Sequence, residues 1–237
     1  MITKMIWPDA GKLSEAAAHF FVLHAQKAIE KNGRFVVALS GGSTPKTFLE
    51  ILATPAFSKN VDWKKVFFFW SDERFVPLTD KESNYKMAWD SLLSKVPVPK
   101  KNIFATPVKG AAKDCAKQYE TSLKAFFGGK TPAFDWLMLG MGDDGHTASL
   151  FPGTDILQEN KRLVKEVWVE SKQTWRISFT YPLINKAKQV VLLVAGSNKA
   201  PVLKTVFAKK AKAVYPVQGV NPKTSPLWLV DEAAVNF

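Results

Sequence analysis

The chain has 237 residues, 46% hydrophobic and 23% charged, a composition that suits a folded domain and excludes a disordered or fibrous protein. Its formal net charge of +12 is spread in ones and twos (Lys64-Lys65, Lys100-Lys101, Lys209-Lys210), without the basic run of a nucleic-acid-binding tail. A single cysteine, Cys115, excludes an internal disulfide, and no stretch approaches the roughly 20 apolar residues that span a bilayer, so a cytoplasmic protein with no membrane partner is expected.

The N-terminal MITKMIWPDAGK lacks the sustained apolar core of a signal peptide. Leu13, Ala16, Ala17, Phe20, Leu23, Ala28 and Ile29 then recur near helical spacing, predicting a helix over 12–31 that stops at Asn32-Gly33. Arg34 to Leu39 is a β-rich run, followed by SGGSTP at 40–45 and a helical stripe through Phe48, Leu49 and Leu52. The same order repeats at Val66 to Trp70, which leads into SDERFVP and a helix around 83–94. Phe134 to Leu139 leads into GMGDDGHTASLFPG. Strands are also expected at 161–170, 176–181 and 190–194, with a helix at about 198–208 and a last strand at 227–230. Strands that are continuously apolar and separated by helices imply a sheet covered on both faces. The expectation is therefore one α/β domain, residues 1–237, built on an open, mostly parallel sheet with helices on both faces. In such sheets ligands bind beyond the carboxyl ends of the strands, where three unusual loops gather here.

Gly41 and Gly42 can turn successive amides toward one point, Ser43 or Thr44 can cap the following helix, and Pro45 suits its first turn. The segment reads equally as a tight turn or as an anion cradle; it matches neither nucleotide-binding glycine pattern. Ser71-Asp72-Glu73-Arg74 places charges directly after bulky apolar residues, as a self-paired surface turn or as the wall of a polar cleft. Glu82-Ser83-Asn84-Tyr85 reads as a helix start capped by serine. In the third loop Gly140, Gly142 and Gly145 permit a sharp bend just before His146, with Thr147 and Ser149 nearby. Histidine exchanges protons near neutrality, so His146 is either a general base or a loop-stabilising hydrogen bonder. His19 and His24, inside the first helix, read as structural. Asp143, Asp144 and His146 lack the third and fourth partners a metal site needs, so no metal is expected.

Five segments in order carry a resemblance: SGGSTP, WSDERFVP with ESNY, GMGDDGHTASLFPG, RISFTYPLINKAKQVVLLVAGSNKA and PLWLVDEAA. They resemble the glucosamine-6-phosphate isomerase/6-phosphogluconolactonase superfamily, and HTASLFP resembles its lactonase branch rather than its deaminases. The resemblance implies a Rossmann-like fold and cofactor-free hydrolysis of 6-phospho-D-glucono-1,5-lactone in the oxidative pentose phosphate pathway. It further implies His146 as the base that activates water, and Asp72 as an acidic partner orienting His146 or the water. Arg74, Arg176 and Lys199 would bind the sugar phosphate, with Gly41, Gly42 and Ser43 as the cradle. Neither Ser43 nor Ser149 sits in a nucleophile elbow, which disfavours a covalent route. Tyr215 to Val220 departs from the small-residue loop expected near such a site. The competing readings are an isomerase or deaminase on the same scaffold, and a non-catalytic anion or nucleic-acid binder that uses the positive charge. A small phosphorylated lactone is the expected partner, nucleic acid is not, and the sequence carries no signal for oligomeric state.

Overall fold

A computed structural model describes residues 3–208 and 214–237; Lys209-Lys210 lies outside them. The first helix, α1 (Ala10–Asn32), starts where the Asp9 carboxylate accepts the Lys12 N–H at 2.8 Å, and ends at Gly33, whose φ of 71° supplies the left-handed turn. Leu13, Ala17, Phe21 and Ala25 recur every four residues and are fully buried, so one stripe of α1 lies on the sheet.

That sheet has six parallel strands in the order β1 (Thr3–Trp7), β9 (Leu227–Asp231), β8 (Val190–Val194), β5 (Trp136–Leu139), β2 (Phe35–Leu39) and β3 (Val66–Trp70). Strand alternation divides the apolar runs between two cores. Phe35, Val37, Leu39, Trp136, Met138, Val191 and Leu193 face α1 and α2 (Ser43–Leu52). Val36, Ala38, Leu137, Leu139, Val190 and Leu192 face the opposite way, against Ala116, Tyr119 and Leu123 of helix α3 (Ala112–Phe126). Each large apolar side chain withdrawn from water contributes about 1.5–3 kcal/mol, which is why central strands apolar on both sides need cover on both sides.

The expected sheet is present, with three differences. The edge strand β1 was not anticipated because its residues are mostly exposed and its apolar run, Met5-Ile6-Trp7, is short. Helix α3 was likewise missed; its polar outer face dilutes the stripe formed by Ala112, Cys115, Ala116, Tyr119 and Leu123. The segments at 161–170 and 176–181 do not enter the main sheet. Residues Val164–Val169 (β6) and Thr174–Phe179 (β7) pair antiparallel with each other, and β7 pairs with Asp72–Arg74 (β4), forming a separate three-stranded sheet. Val164, Val167, Ile177 and Phe179 from this small sheet fill the second core beside α3. A strand pattern reports what is buried, and burial alone does not say which sheet a strand joins.

In the six-stranded order, β3 lies on one side of β2, and β5, β8 and β9 lie on the other, so the winding direction changes between β2 and β5. Loops leaving the two strands there diverge and open a crevice at their carboxyl ends. Those are the loops that begin at Ser40 and Gly140.

Candidate active site

Helix α2 begins at Ser43 with Gly42, at φ 115°, as its N-cap, and no side chain caps it. The expectation of a Ser43 or Thr44 cap is not met, and the first-turn amides are left without a side-chain acceptor. Uncapped amides with the positive end of the helix dipole favour negative groups. Gly140, from the neighbouring strand, crosses close by: a Cβ there would come within 3.9 Å of the Gly41 carbonyl oxygen.

The loop after β5 is folded on itself. Gly142 N–H donates to the His146 carbonyl at 2.9 Å, Thr147 Oγ1 donates to the Gly140 carbonyl at 2.8 Å, and Gly145 turns at φ 74°. Ala148 also has positive φ, 47°, an arrangement that costs a non-glycine residue on the order of 1–2 kcal/mol. His146 lies between two constraints. Its Nδ1 is 2.6 Å from Asp144 Oδ1, and its ring stacks on Phe151 with centroids 3.9 Å apart. An Nδ1–H donated to Asp144 leaves Nε2 as the basic nitrogen. Burial works against the Asp144 carboxylate, but hydrogen bonds from the His146 ring and backbone N–H hold its pKa below the ordinary value.

Alternation on β4 puts Asp72 and Arg74 on one face of the small sheet with their register partners Ser178 and Arg176. Asp72 is buried and accepts Ser149 Oγ at 2.7 Å, tying the strand to the histidine loop. The residue that holds the imidazole is thus Asp144, and the Asp72 carboxylate is held by Ser149. Arg74 donates Nη1 to the Glu82 carbonyl at 2.5 Å, while Nε of both Arg74 and Arg176 is buried without a protein partner. Burial lowers the Arg176 pKa; Asp72 opposes the shift and Arg74 adds to it. Lys199 ends a short helical turn after Gly196, whose N–H is held by Asp231 at 3.0 Å.

One cleft is lined by Gly41, Gly42, Ser43, Asp72, Arg74, His146, Arg176 and Lys199, so the residues to which the resemblance gives a catalytic or binding role meet there. Asn84 and Ala148 line it as well. From the sequence, Asp144 is only a rejected metal candidate, Asn84 part of a helix start and Phe151 part of a family motif, none of them with a role in the cleft. An aspartate two residues before a histidine across a glycine was a usable signal for Asp144; stacking by Phe151 had none. The Tyr215 to Val220 segment supports the histidine loop from behind: Val217 N–H donates to the Gly145 carbonyl at 3.0 Å, and Tyr181 Oη donates to the Pro216 carbonyl at 2.6 Å. His24 Nδ1 meets the Phe20 carbonyl at 2.8 Å and His19 contacts Phe57, both away from the cleft. Among the described residues no group of three or more His, Cys, Asp or Glu side chains could hold a metal ion, and no helix is long and apolar enough to cross a membrane.

Comparison with known proteins adds a second line of evidence. Residues 8–229 match the family described as glucosamine-6-phosphate isomerases/6-phosphogluconolactonase. A 6-phosphogluconolactonase from Nostoc sp. is 42% identical over 98% of this chain and 96% of its own length. One from Synechocystis sp. is 43% identical over 88% of this chain and 86% of its own. The solved structure of 6-phosphogluconolactonase from Trypanosoma cruzi superposes with a TM-score of 0.88 at 28% identity, covering 99% of this chain and 96% of that one.

Proposed function

Because the chain belongs to the glucosamine-6-phosphate isomerase/6-phosphogluconolactonase family, we propose that it hydrolyses 6-phospho-D-glucono-1,5-lactone to 6-phosphogluconate, with His146 as general base. The observation that carries this reading is a histidine backed by a carboxylate in the same cleft as three cationic side chains and a helix N-terminus.

The chemistry follows from the groups. His146 Nε2 takes a proton from water as the oxygen attacks the lactone carbonyl. Negative charge then grows on the carbonyl oxygen, where amide or cationic donors stabilise it. As the carbon–oxygen bond to the ring breaks, the imidazolium returns its proton to the departing ring oxygen. A placed base of this kind contributes about 10²- to 10⁴-fold. Arg74, Arg176 and Lys199 anchor the unreacting phosphate, and arginine suits that task through paired hydrogen bonds. Gly41, Gly42 and Ser43 offer neutral donors to substrate oxygens, and Asp72 orients the incoming water. The whole chain, 1–237, acts as one catalytic domain in the oxidative pentose phosphate pathway. A cytoplasmic setting fits its single free thiol, Cys115.

The test is a lactonase assay corrected for spontaneous ring opening, run beside an assay for ammonia release from glucosamine 6-phosphate. Enzymatic opening of the lactone without ammonia release is expected; the reverse pattern would transfer the site to the deaminase reading.

A further inference from the structure

Glu73 lies on the opposite face of β4 from Asp72 and is fully buried, yet among the described residues it forms no ion pair. Four donors hold its carboxylate instead. Arg74 N–H and Asn84 N–H reach Oε1 at 2.8 Å each, Tyr85 N–H reaches Oε2 at 2.8 Å, and Ser83 Oγ donates to Oε2 at 3.1 Å. Three of these donors belong to the start of the short helix Asn84–Ala88, whose first turn Ser83 already caps through Lys86 N–H. A cap alone starts a helix. A buried carboxylate added to it fixes where the helix starts.

The side chain fixed in this way is Asn84, which is 1% exposed and lines the cleft. Its Nδ2 donates to the Asp72 carbonyl at 2.8 Å and lies 3.5 Å from Asp72 Oδ1. Its other side presses on the glycine turn: a Cβ at position 41 would overlap Asn84 Oδ1 and come within 2.6 Å of Cγ. Gly41 does not have positive φ, so space rather than backbone conformation is what excludes a larger residue there. The second oxygen of Asp72 is held by Ser149 from the histidine loop. Asn84 therefore stands where the loops after β2 and β3 meet, and through Asp72 it reaches the loop after β5.

We propose that Asn84 is a positioning residue for the reaction: its carboxamide keys the glycine turn to Asp72, and Glu73 holds Asn84 in place. The role rests on the lactonase reading of the cleft. It predicts a particular kinetic signature, because the strand positions of Arg74 and Arg176 are set by the register of β4 and β7 rather than by the asparagine.

The experiment combines kinetics with a thermal double-mutant cycle. Asn84→Ala should lower kcat about 10- to 100-fold while KM for the phosphorylated lactone stays within about threefold. Gly41→Ala should lower Tm in the wild-type background, and that decrement should shrink by more than half once Asn84→Ala has removed the obstructing atoms. Glu73→Gln should lower kcat in the same direction as Asn84→Ala, and the two changes together should cost less than the product of their separate effects. A folded Asn84→Ala protein with wild-type kcat would overturn the positioning role, and additive Tm effects would overturn the contact behind it. A wild-type chain that leaves the lactone untouched would overturn the functional reading and the role together, while the thermal cycle would still report on the contact.

Discussion

Arg74 and Arg176 stand directly opposite each other on β4 and β7, and both line the cleft. Like charges in register destabilise a sheet. Among the described residues neither forms an ion pair; Asp72 attracts the Arg176 cation more strongly than Arg74 repels it, but burial outweighs both and leaves the charged form disfavoured. A bound phosphate would offset that cost and supply acceptors for the unpartnered Nε groups of both arginines. Inorganic phosphate at 100 times its Kd should therefore stabilise the fold by about 2.7 kcal/mol, a Tm rise of several degrees in a chain of this size. Arg176→Gln should lose most of that rise while melting no lower than wild type in phosphate-free buffer. It should also raise KM for the phosphorylated lactone far more than for the unphosphorylated one. Equal effects on the two substrates would remove the anchoring role.

His146→Ala should lower kcat by at least about 10²-fold with the fold intact, as measured by circular dichroism and steady-state kinetics. Asp144→Asn should lower it by a smaller factor, about 10-fold or more. The carboxylate selects the tautomer of the base, but its side chain is 43% exposed and water screens its charge. Near wild-type turnover in His146→Ala would refute the assignment of the base.

Gly142 is a second position where space is the constraint. A Cβ there would overlap His146 Nδ1 and Cε1 and come within 2.6 Å of Asp144 Oδ1. Gly142→Ala should separate the imidazole from its carboxylate and cost at least about 10²-fold in kcat, as a displaced catalytic group does. Phosphate binding measured by calorimetry should change little, because the cations lie on other elements. Loss of both functions together would point to collapse of the loop instead.

Burial pushes the Glu73 pKa from 4.5 up to about 7, against the hydrogen bonds from the Asn84, Tyr85 and Arg74 N–H groups. A carboxyl with a raised folded-state pKa binds more protons folded than unfolded between those values. Its contribution to stability is full below pH 4.5 and is lost as the pH rises through about 7. The shift corresponds to about 3 kcal/mol across that window. Glu73→Gln should flatten this part of the stability-versus-pH curve whatever its effect on absolute stability. Parallel curves for the two proteins, measured by urea unfolding from pH 4.5 to 8, would show that Glu73 does not titrate as described.

The parallel sheet was legible because β2, β3, β5 and β8 are continuous apolar runs, and only a strand covered on both faces needs them. The site was legible for a related reason. Glycines and ionisable groups are costly next to such strands unless a bend or a cleft uses them, so SGGSTP, SDER and GDDGH stood out. The partners of those residues were not legible. Whether Asp144 or Asp72 would hold His146, and whether Glu73 would pair with Arg74 or anchor a helix, depends on side-chain directions that spacing does not encode.

The sequence by itself determined which segments had to be buried, and which residues could take up protons, bind anions or bend the chain, since those properties belong to single residues and their immediate neighbours. Only the tertiary structure decided that β6 and β7 leave the main sheet to pair with β4, and that Arg74 meets Arg176 across that ladder. It alone also seated Asn84 between Gly41 and Asp72. Each of these is a contact between segments far apart in the chain, selected by how whole surfaces fit together, and no local pattern specifies such a fit.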